Sequence, residues 1–265
     1  MATRRSVASG TEPALSDDLE LGLDLVRAAA RLALEHARRG VAAEAKADGS
    51  FVTPADVGIE GLLAEQLGRL RPGDALLGEE LGSRGDSERR WIIDPIDGTS
   101  NYIEGEPQWG THLALERAGE IVLGLISRPV VGKVWWATRG GGAYRGALAS
   151  APATRERIRV SGTRALASSR VAVWAERPHA LIDRVAACAT VATADLDAIL
   201  RLVEGSIDAV IDPTGQPWDH APATLLVEEA GGRFSDASNG RRIDRGEVRY
   251  SNGSIHEALV RALAS

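Results

Sequence analysis

The segment Trp91-Ile92-Ile93-Asp94-Pro95-Ile96-Asp97-Gly98-Thr99-Ser100-Asn101 constrains this chain more than any other. It reads as an apolar strand, Trp91 to Asp94, that ends on a carboxylate. Burying that carboxylate costs free energy unless a cation or hydrogen-bond donors meet it. Pro95 sets a turn, and Asp97 follows three residues after Asp94. In a tight turn both carboxylates and the Ile96 carbonyl face one point, a set of hard oxygens suited to Mg²⁺. Gly98 then permits close backbone approach. A helix or turn beginning there would offer the N–H groups of Gly98, Thr99 and Ser100 as a nest for phosphate. Taken alone, the segment is equally a plain turn, because Asp-Pro and Asp-Gly are common turn dipeptides.

Three further acidic segments change that balance. They are Lys46 to Asp56, with Asp48, Ser50 and Thr53 between; Gly78-Glu79-Glu80; and Pro217-Trp218-Asp219-His220-Ala221, followed by Glu228-Glu229-Ala230-Gly231-Gly232. Singly, Asp56 reads as a helix N-cap, Glu79-Glu80 as surface charge and Trp218-Asp219 as a helix start. Together they form a set of carboxylates at element ends. The rest of the chain is poor in metal ligands: one cysteine, Cys188, and five histidines with no pair at HxxxH spacing. A cysteine-based zinc site and a disulfide framework are excluded, and any metal held is a hard, oxygen-loving one.

The charge balance is 31 basic against 37 acidic residues, a net of −6. With no basic excess, a nucleic-acid partner is not expected. No apolar run approaches membrane-spanning length, so no membrane partner is expected either. Arg4 and Arg5 have no apolar stretch behind them and are not read as a secretory signal. Residues 1–15 are expected to be a mobile tail, and the protein to be cytoplasmic.

Residues 16–150 read as an α+β half. Its first helix is capped by Asp17 with Glu20 and stopped at Gly40, and its second runs from Asp56 to Leu70. Short strands follow at Ala75–Leu77, Trp91–Asp94, Trp109–Glu116, Ile121–Ser127 and Lys133–Ala137. Residues 151–265 alternate strands (Arg170–Trp174, Thr190–Ala192, Ile207–Ile211, Arg233–Ser235, Val248–Ser251) with helices (Leu181–Ala187, Leu196–Glu204, His220–Ala230, Ser254–Leu263), an α/β texture. The two halves are expected to form one body with an internal cleft.

The four acidic segments, in this order, resemble the signatures of the inositol monophosphatase family of Mg²⁺-dependent, lithium-sensitive phosphatases, which includes fructose-1,6-bisphosphatases. The resemblance runs from about Asp17 to the end of the chain. It implies a layered αβαβα sandwich and two or three Mg²⁺ ions. Glu79, Asp94 and the Ile96 carbonyl would bind one ion, and Asp94, Asp97 and Asp219 a second, with Glu80 a neighbour. Thr99 and Asp56 would form the water-activating pair, with Glu79 beside them, and Gly98, Thr99 and Ser100 would bind phosphate. The substrate is implied to be a small phosphorylated metabolite facing Asp97, Asp195, Asp212 and Asp219, and the assembly a homodimer.

Arg71 to Asp74 with Leu77 to Glu80, and Trp135 to Ala143, resemble the histidinol-phosphate phosphatase branch. Asp212, seven residues before Asp219, matches a position where the family usually carries a substrate-contacting glutamate, and Asp195 matches an acidic position in the same wall. Histidinol phosphate is the expected substrate, with an inositol phosphate, a nucleotide or a specialised-metabolite phosphate as alternatives. Trp135-Trp136 is expected to be packing, Arg139 to Gly142 a flexible turn, Cys188 a packed small hydrophobe, and His112 and His220 neighbours of the cleft.

Overall fold

The computed structural model describes residues 13–47, 49–149, 155–175, 179–244 and 246–264. Asp48 and most of the expected N-terminal tail lie outside these residues.

Helix α1 spans Leu15–Arg39 and α2 spans Pro54–Leu70. Asp17 does not cap α1: the N-cap is Ala14, and it is Asp18 that turns inward, fully buried. Asp18 finds its partners elsewhere in the chain: Arg71 Nε donates to Oδ1 at 2.8 Å and Arg89 Nη2 to Oδ2 at 2.9 Å. Gly40 ends α1 at φ +89°, a left-handed conformation suited to glycine. The second helix begins two residues earlier than Asp56, with Thr53 as N-cap and Pro54 in its first turn.

Strands β1 (Glu44–Ala45) and β2 (Phe51–Val52) form a small hairpin across the first acidic segment. The large sheet contains β3 (Ala75–Gly78), β4 (Gly82–Arg84), β5 (Arg89–Asp97), β6 (Gly110–Arg117), β7 (Glu120–Arg128), β8 (Lys133–Thr138), β9 (Gly142–Ala147) and β10 (Glu156–Arg157). Its order is β10-β9-β8-β7-β6-β5-β3-β4, antiparallel except for the β3/β5 pair. A short helix α3 (Thr99–Glu104) follows β5 directly. Beyond residue 157 come β11 (Arg170–Val173), α4 (Ala180–Ala186), β12 (Thr190–Ala192), α5 (Ala198–Val203), β13 (Ala209–Asp212), α6 (Pro217–Glu229), β14 (Arg233–Asp236), β15 (Val248–Ser251) and α7 (His256–Ala264). Their five strands form a second sheet ordered β12-β11-β13-β15-β14.

Three apolar clusters define the layers. Leu23, Val26, Ile59 and Leu63 of α1 and α2 pack on Trp91, Ile93, Leu113 and Leu125 of the large sheet. The sheet's other face meets Leu202, Ala221, Leu225 and Leu226 of α5 and α6, which also cover Val210 and Tyr250 of the second sheet. Val171, Val173 and Ile211 on the far face of that sheet pack under Leu181, Ile182 and Leu259 of α4 and α7. The order is helix, sheet, helix, sheet, helix: the expected αβαβα sandwich. Among the described residues no helix is long and apolar enough to cross a membrane.

Candidate active site

Strand β5 does not stop at Asp94. It continues through Asp97, and its pairing with β6 shifts register between those two residues. The expected tight turn is therefore a bulged strand end, and the bulge lets Asp94 and Asp97 share a face. Asp94 is 2 % exposed, and its Oδ1 is buried with no hydrogen-bond partner. Burial, followed by the negative charges of Glu79, Asp97, Asp219 and Asp56, holds its carboxyl well above the usual range. Gly98 sits at φ +84° and opens α3, so Thr99 and Ser100 lie in a helical first turn as expected. A Cβ on Gly98 would also strike Leu196 Cδ1 at 2.4 Å.

Two helix N-termini aim carboxylates at this strand end, and both carry the same local pattern. Pro54-Ala55-Asp56 opens α2 and Pro217-Trp218-Asp219 opens α6. A proline in the first turn cannot miss an N–H it does not have, and an acid two residues later reaches back to the cap. Thr53 N and Oγ1 donate to Asp56 Oδ2 at 2.8 and 2.5 Å. Gln216 N donates to Asp219 Oδ2 at 2.7 Å. Asp56 is thus the third residue of α2 rather than its cap. Burial raises its pKa, and burial together with Asp97 pushes Asp219 up to about 7. Thr99 Oγ1 donates to the Ile96 carbonyl at 3.0 Å and lies 3.4 Å from Asp56 Oδ1.

Glu79 and Glu80 follow β3 and share one cation. Lys46 Nζ donates to Glu79 Oε1 at 2.8 Å and Glu80 Oε1 at 2.6 Å. Burial raises the pKa of Glu79 despite that lysine. Glu60, which motif reading passes over, fixes this turn. Its buried carboxylate accepts from Glu80 N and Leu81 N at 2.8 Å each. The signal available in the sequence was its position one helical turn after Asp56.

Asp97 has different surroundings. His112 Nε2 and Arg128 Nη2 lie 3.1 and 3.2 Å from its Oδ2. Those two groups hold its pKa low against the burial that opposes them. Sequence reading placed His112 near the cleft and missed Arg128, since nothing local distinguishes an arginine at a strand end.

A cavity of about 380 Å³ adjoins these groups, lined in part by Asp97, Arg128, Trp174, Asp212, Asp219 and His220. Asp212 ends β13, is buried, and accepts from Thr214 N and Gly215 N through Oδ1. Asp195 is not brought to the cavity wall with it. Its carboxylate caps its own loop through Asp197 N and pairs with Arg201 at 3.4 Å. His220 is buried; its Nδ1 lies 3.0 Å from Tyr250 Oη and its Nε2 has no hydrogen-bond partner.

The remaining readings resolve locally. Trp135 and Trp136 are buried packing residues, and Trp135 Nε1 donates to Glu204. The Arg139 to Gly142 turn cradles an anion of the chain itself: Gly140 N and Gly142 N donate to Glu229 at 2.8 Å each. Cys188 is only half-buried, against the expectation of a packed position, because it lies just past the end of α4.

The donor set fits a hard divalent cation. It consists of carboxylate and carbonyl oxygens, one of them the orphaned buried Oδ1 of Asp94, whose charged form burial and the neighbouring carboxylates disfavour. Among the described residues, Asp94, Asp97 and His112 each offer a ligand atom within 4.8 Å of the others.

The profile of the inositol monophosphatase family matches residues 15–265. A Streptomyces griseus protein described as a glucose-1-phosphate thymidylyltransferase is 39% identical over 246 residues, covering 92% of this chain and 95% of that protein. A Streptomyces coelicolor histidinol-phosphatase is 36% identical over 262 residues, covering 94% and 97%. The solved structure of a Thermotoga maritima IMPase superposes with a TM-score of 0.80 at 28% identity, covering 94% of this chain and 97% of that one.

Proposed function

Because the chain belongs to the inositol monophosphatase family, and is a phosphatase acting on small phosphorylated metabolites, we propose that it hydrolyses histidinol phosphate with Mg²⁺ at the β5 strand end. The observation that carries this reading is the buried, unpartnered Asp94 Oδ1 among Glu79, Asp56, Asp97 and Asp219. Such a cluster requires a cation to be fully ionised. Glu79, Asp94 and the Ile96 carbonyl would hold one Mg²⁺, and Asp94, Asp97 and Asp219 a second. Bound there, Mg²⁺ lowers the pKa of water and neutralises the leaving oxygen.

The chain's own residues do the rest. The Thr99 hydroxyl, 3.4 Å from Asp56 Oδ1, orients the attacking water, and Asp56 takes its proton. Burial raises the pKa of Asp56, which makes its carboxylate a stronger proton acceptor. N–H groups of Gly98, Thr99 and Ser100 bind the phosphate oxygens as negative charge spreads over them.

Asp212, at the cavity wall, supports an amine-bearing substrate, because Oδ2 is not the oxygen that its own loop uses. The S. coelicolor relative supports the same choice. An inositol phosphate is the second reading, since Asp212 accepts equally from a hydroxyl. The implied homodimer belongs to this proposal; Val130 and Val131, exposed between β7 and β8, are apolar surface that supports it.

The test is phosphate release, with Mg²⁺ and with EDTA, from histidinol phosphate, inositol monophosphates, glucose 1-phosphate, fructose 1,6-bisphosphate and nucleoside monophosphates. Turnover of histidinol phosphate at least about tenfold above the others supports the proposal, and a preference for a substrate without an amine overturns the substrate assignment.

A further inference from the structure

The chain has six tryptophans. Trp91, Trp109, Trp135 and Trp136 are buried in the core, and Trp218 packs against it. Trp174 is placed differently. It is half-buried, follows β11 directly, and lines the 380 Å³ cavity that Asp97, Asp212 and Asp219 also line. It lines a second, more open cavity of about 540 Å³ as well, with Ala175, His179, Ala194, Pro213 and Thr214. Thr214 is likewise common to both. The two cavities therefore adjoin, with Trp174 at their junction.

Sheet topology accounts for that position. Strands β12, β11 and β13 are parallel neighbours, and a parallel sheet presents its ligand sites beyond the carboxyl ends of its strands. Those ends carry Ala194, Trp174, and Asp212 with Thr214. Val173 pairs with Ile211, and Trp174 N donates to the Ile211 carbonyl at 2.8 Å. Trp174 and Asp212 are thus side by side on adjacent strands, about 4.8 Å apart across the sheet. One brings an aromatic face to the cavity and the other a carboxylate. Asp212 Oδ1 is tied to Thr214 N and Gly215 N, which fixes the carboxylate and leaves Oδ2 outside those bonds.

A carboxylate and an aromatic face one strand spacing apart match an alcohol that carries an amine on one carbon and a planar ring on the carbon beside it. We propose that Trp174 is a specificity-determining residue: it stacks the ring of such a phosphate ester while Asp212 holds the neighbouring ammonium. The outer cavity gives the ring room. A polyhydroxylated ring has no π face and gains little there. The proposal rests on the histidinol-phosphate reading and narrows it, because it makes the ring, and not the amine alone, a selected feature.

The test compares kcat/KM of the full chain with Mg²⁺ for three esters. They are histidinol phosphate; 2-aminopropyl phosphate, which keeps the amine and lacks the ring; and 3-(imidazol-4-yl)propyl phosphate, which keeps the ring and lacks the amine. Wild type should prefer histidinol phosphate to 2-aminopropyl phosphate by about thirtyfold, and Trp174→Leu should narrow that to about threefold, the change expected from one stacked ring. The loss should lie in KM, as for binding shared by ground and transition states. Trp174→Phe keeps a face and should keep most of the preference. General damage to the fold lowers both esters alike, so an unchanged preference in Trp174→Leu overturns the role of Trp174 and leaves the histidinol-phosphate reading standing. Equal turnover of histidinol phosphate and 2-aminopropyl phosphate by wild type overturns that role without any variant. Equal turnover of the two ring-bearing esters, both above 2-aminopropyl phosphate, supports Trp174 and overturns the amine reading of Asp212. Hydrolysis of inositol monophosphates with none of the three esters accepted overturns the substrate reading and this inference together.

Discussion

Glu60 occupies the space that a side chain at residue 78 would need: a Cβ on Gly78 would lie 1.8 Å from Glu60 Oε1. Glu60 cannot yield cheaply, because that carboxylate holds Glu80 N and Leu81 N. Gly78 is thus required by close approach, and through it the sequence of the Gly78-Glu79-Glu80 turn is tied to helix α2. Gly78→Ala should destabilise by about 2–3 kcal/mol, from overpacking and lost hydrogen bonds to a buried carboxylate. It should also lower Mg²⁺-dependent turnover by displacing Glu79. Urea unfolding and phosphate release measured on the same preparation check both effects.

Asp94→Asn should separate folding from catalysis. The substitution removes the charge at the centre of the cluster, which burial and four neighbouring carboxylates disfavour. Without metal, the variant should melt a few degrees higher than wild type, since relief of about 1 kcal/mol moves the midpoint of a chain this size by about 2–4 °C. With Mg²⁺, phosphate release should fall on the order of a thousandfold, equivalent to about 4 kcal/mol of lost transition-state stabilisation. Unaltered turnover would remove Asp94 from the metal set.

What was legible in the sequence, and what was not, follows from the reach of each interaction. Asp94, Asp97, Gly98 and Thr99 belong to one contiguous segment, and an apolar run ending in acid states its own problem. The paired Pro-x-Asp starts at Asp56 and Asp219 are equally local. Glu60, Asp18 and Arg128 were not legible, because each is explained by a partner far along the chain, 69 residues away for Arg128 and Asp197. The extension of β5 past Pro95 was missed for a related reason. A proline normally argues against a central strand, and only the register shift against β6 accommodates it. Strands β4 and β10 are short and exposed and leave no alternation to read.

The network under the start of β5 should be as important for stability as any apolar contact. Asp18 is buried between Arg71 and Arg89, and Arg89 Nε also donates to Asp74 at 3.0 Å, while Trp91 Nε1 donates to Asp74 at 2.9 Å. Removing one member leaves the others charged and out of water. Asp18→Ala should cost about 3–5 kcal/mol. The double variant Asp18→Ala with Arg89→Met should recover part of that loss, which a double-mutant cycle by urea unfolding measures.

Stability without metal should fall as pH rises, and Mg²⁺ should offset that fall. The folded-state pKa values of Glu79, Asp94 and Asp219 are raised, that of Asp219 to about 7. A carboxyl with a raised folded pKa binds its proton more tightly folded than unfolded. Its contribution is full below the unfolded value, about 3.8 for the aspartates and 4.5 for Glu79, and is lost as pH rises through the folded value. In EDTA the chain should therefore melt lower at pH 8 than at pH 6. Mg²⁺ competes with those protons, so its stabilising shift should grow over the same interval. Melting curves at both pH values, with and without Mg²⁺, test this, and equal shifts by Mg²⁺ at the two would contradict it.

His256 should give the acid limb of the stability profile. Its ring is buried between two hydroxyls, with Nδ1 2.8 Å from Ser251 Oγ and Nε2 3.0 Å from Ser235 Oγ. Burial, reinforced by Arg233, lowers its pKa to about 4. A base with a depressed folded pKa is protonated more readily when unfolded, so the stability it contributes is present above about 6.5 and is lost as pH falls toward 4. A fall from 6.5 to 4 corresponds to at most about 3 kcal/mol. His256→Gln keeps a polar group beside the serines but cannot take up the proton. Between pH 7 and pH 4, wild type should lose more stability in urea than this variant by up to that amount. Parallel losses would show that protonation of His256 does not drive the acid transition.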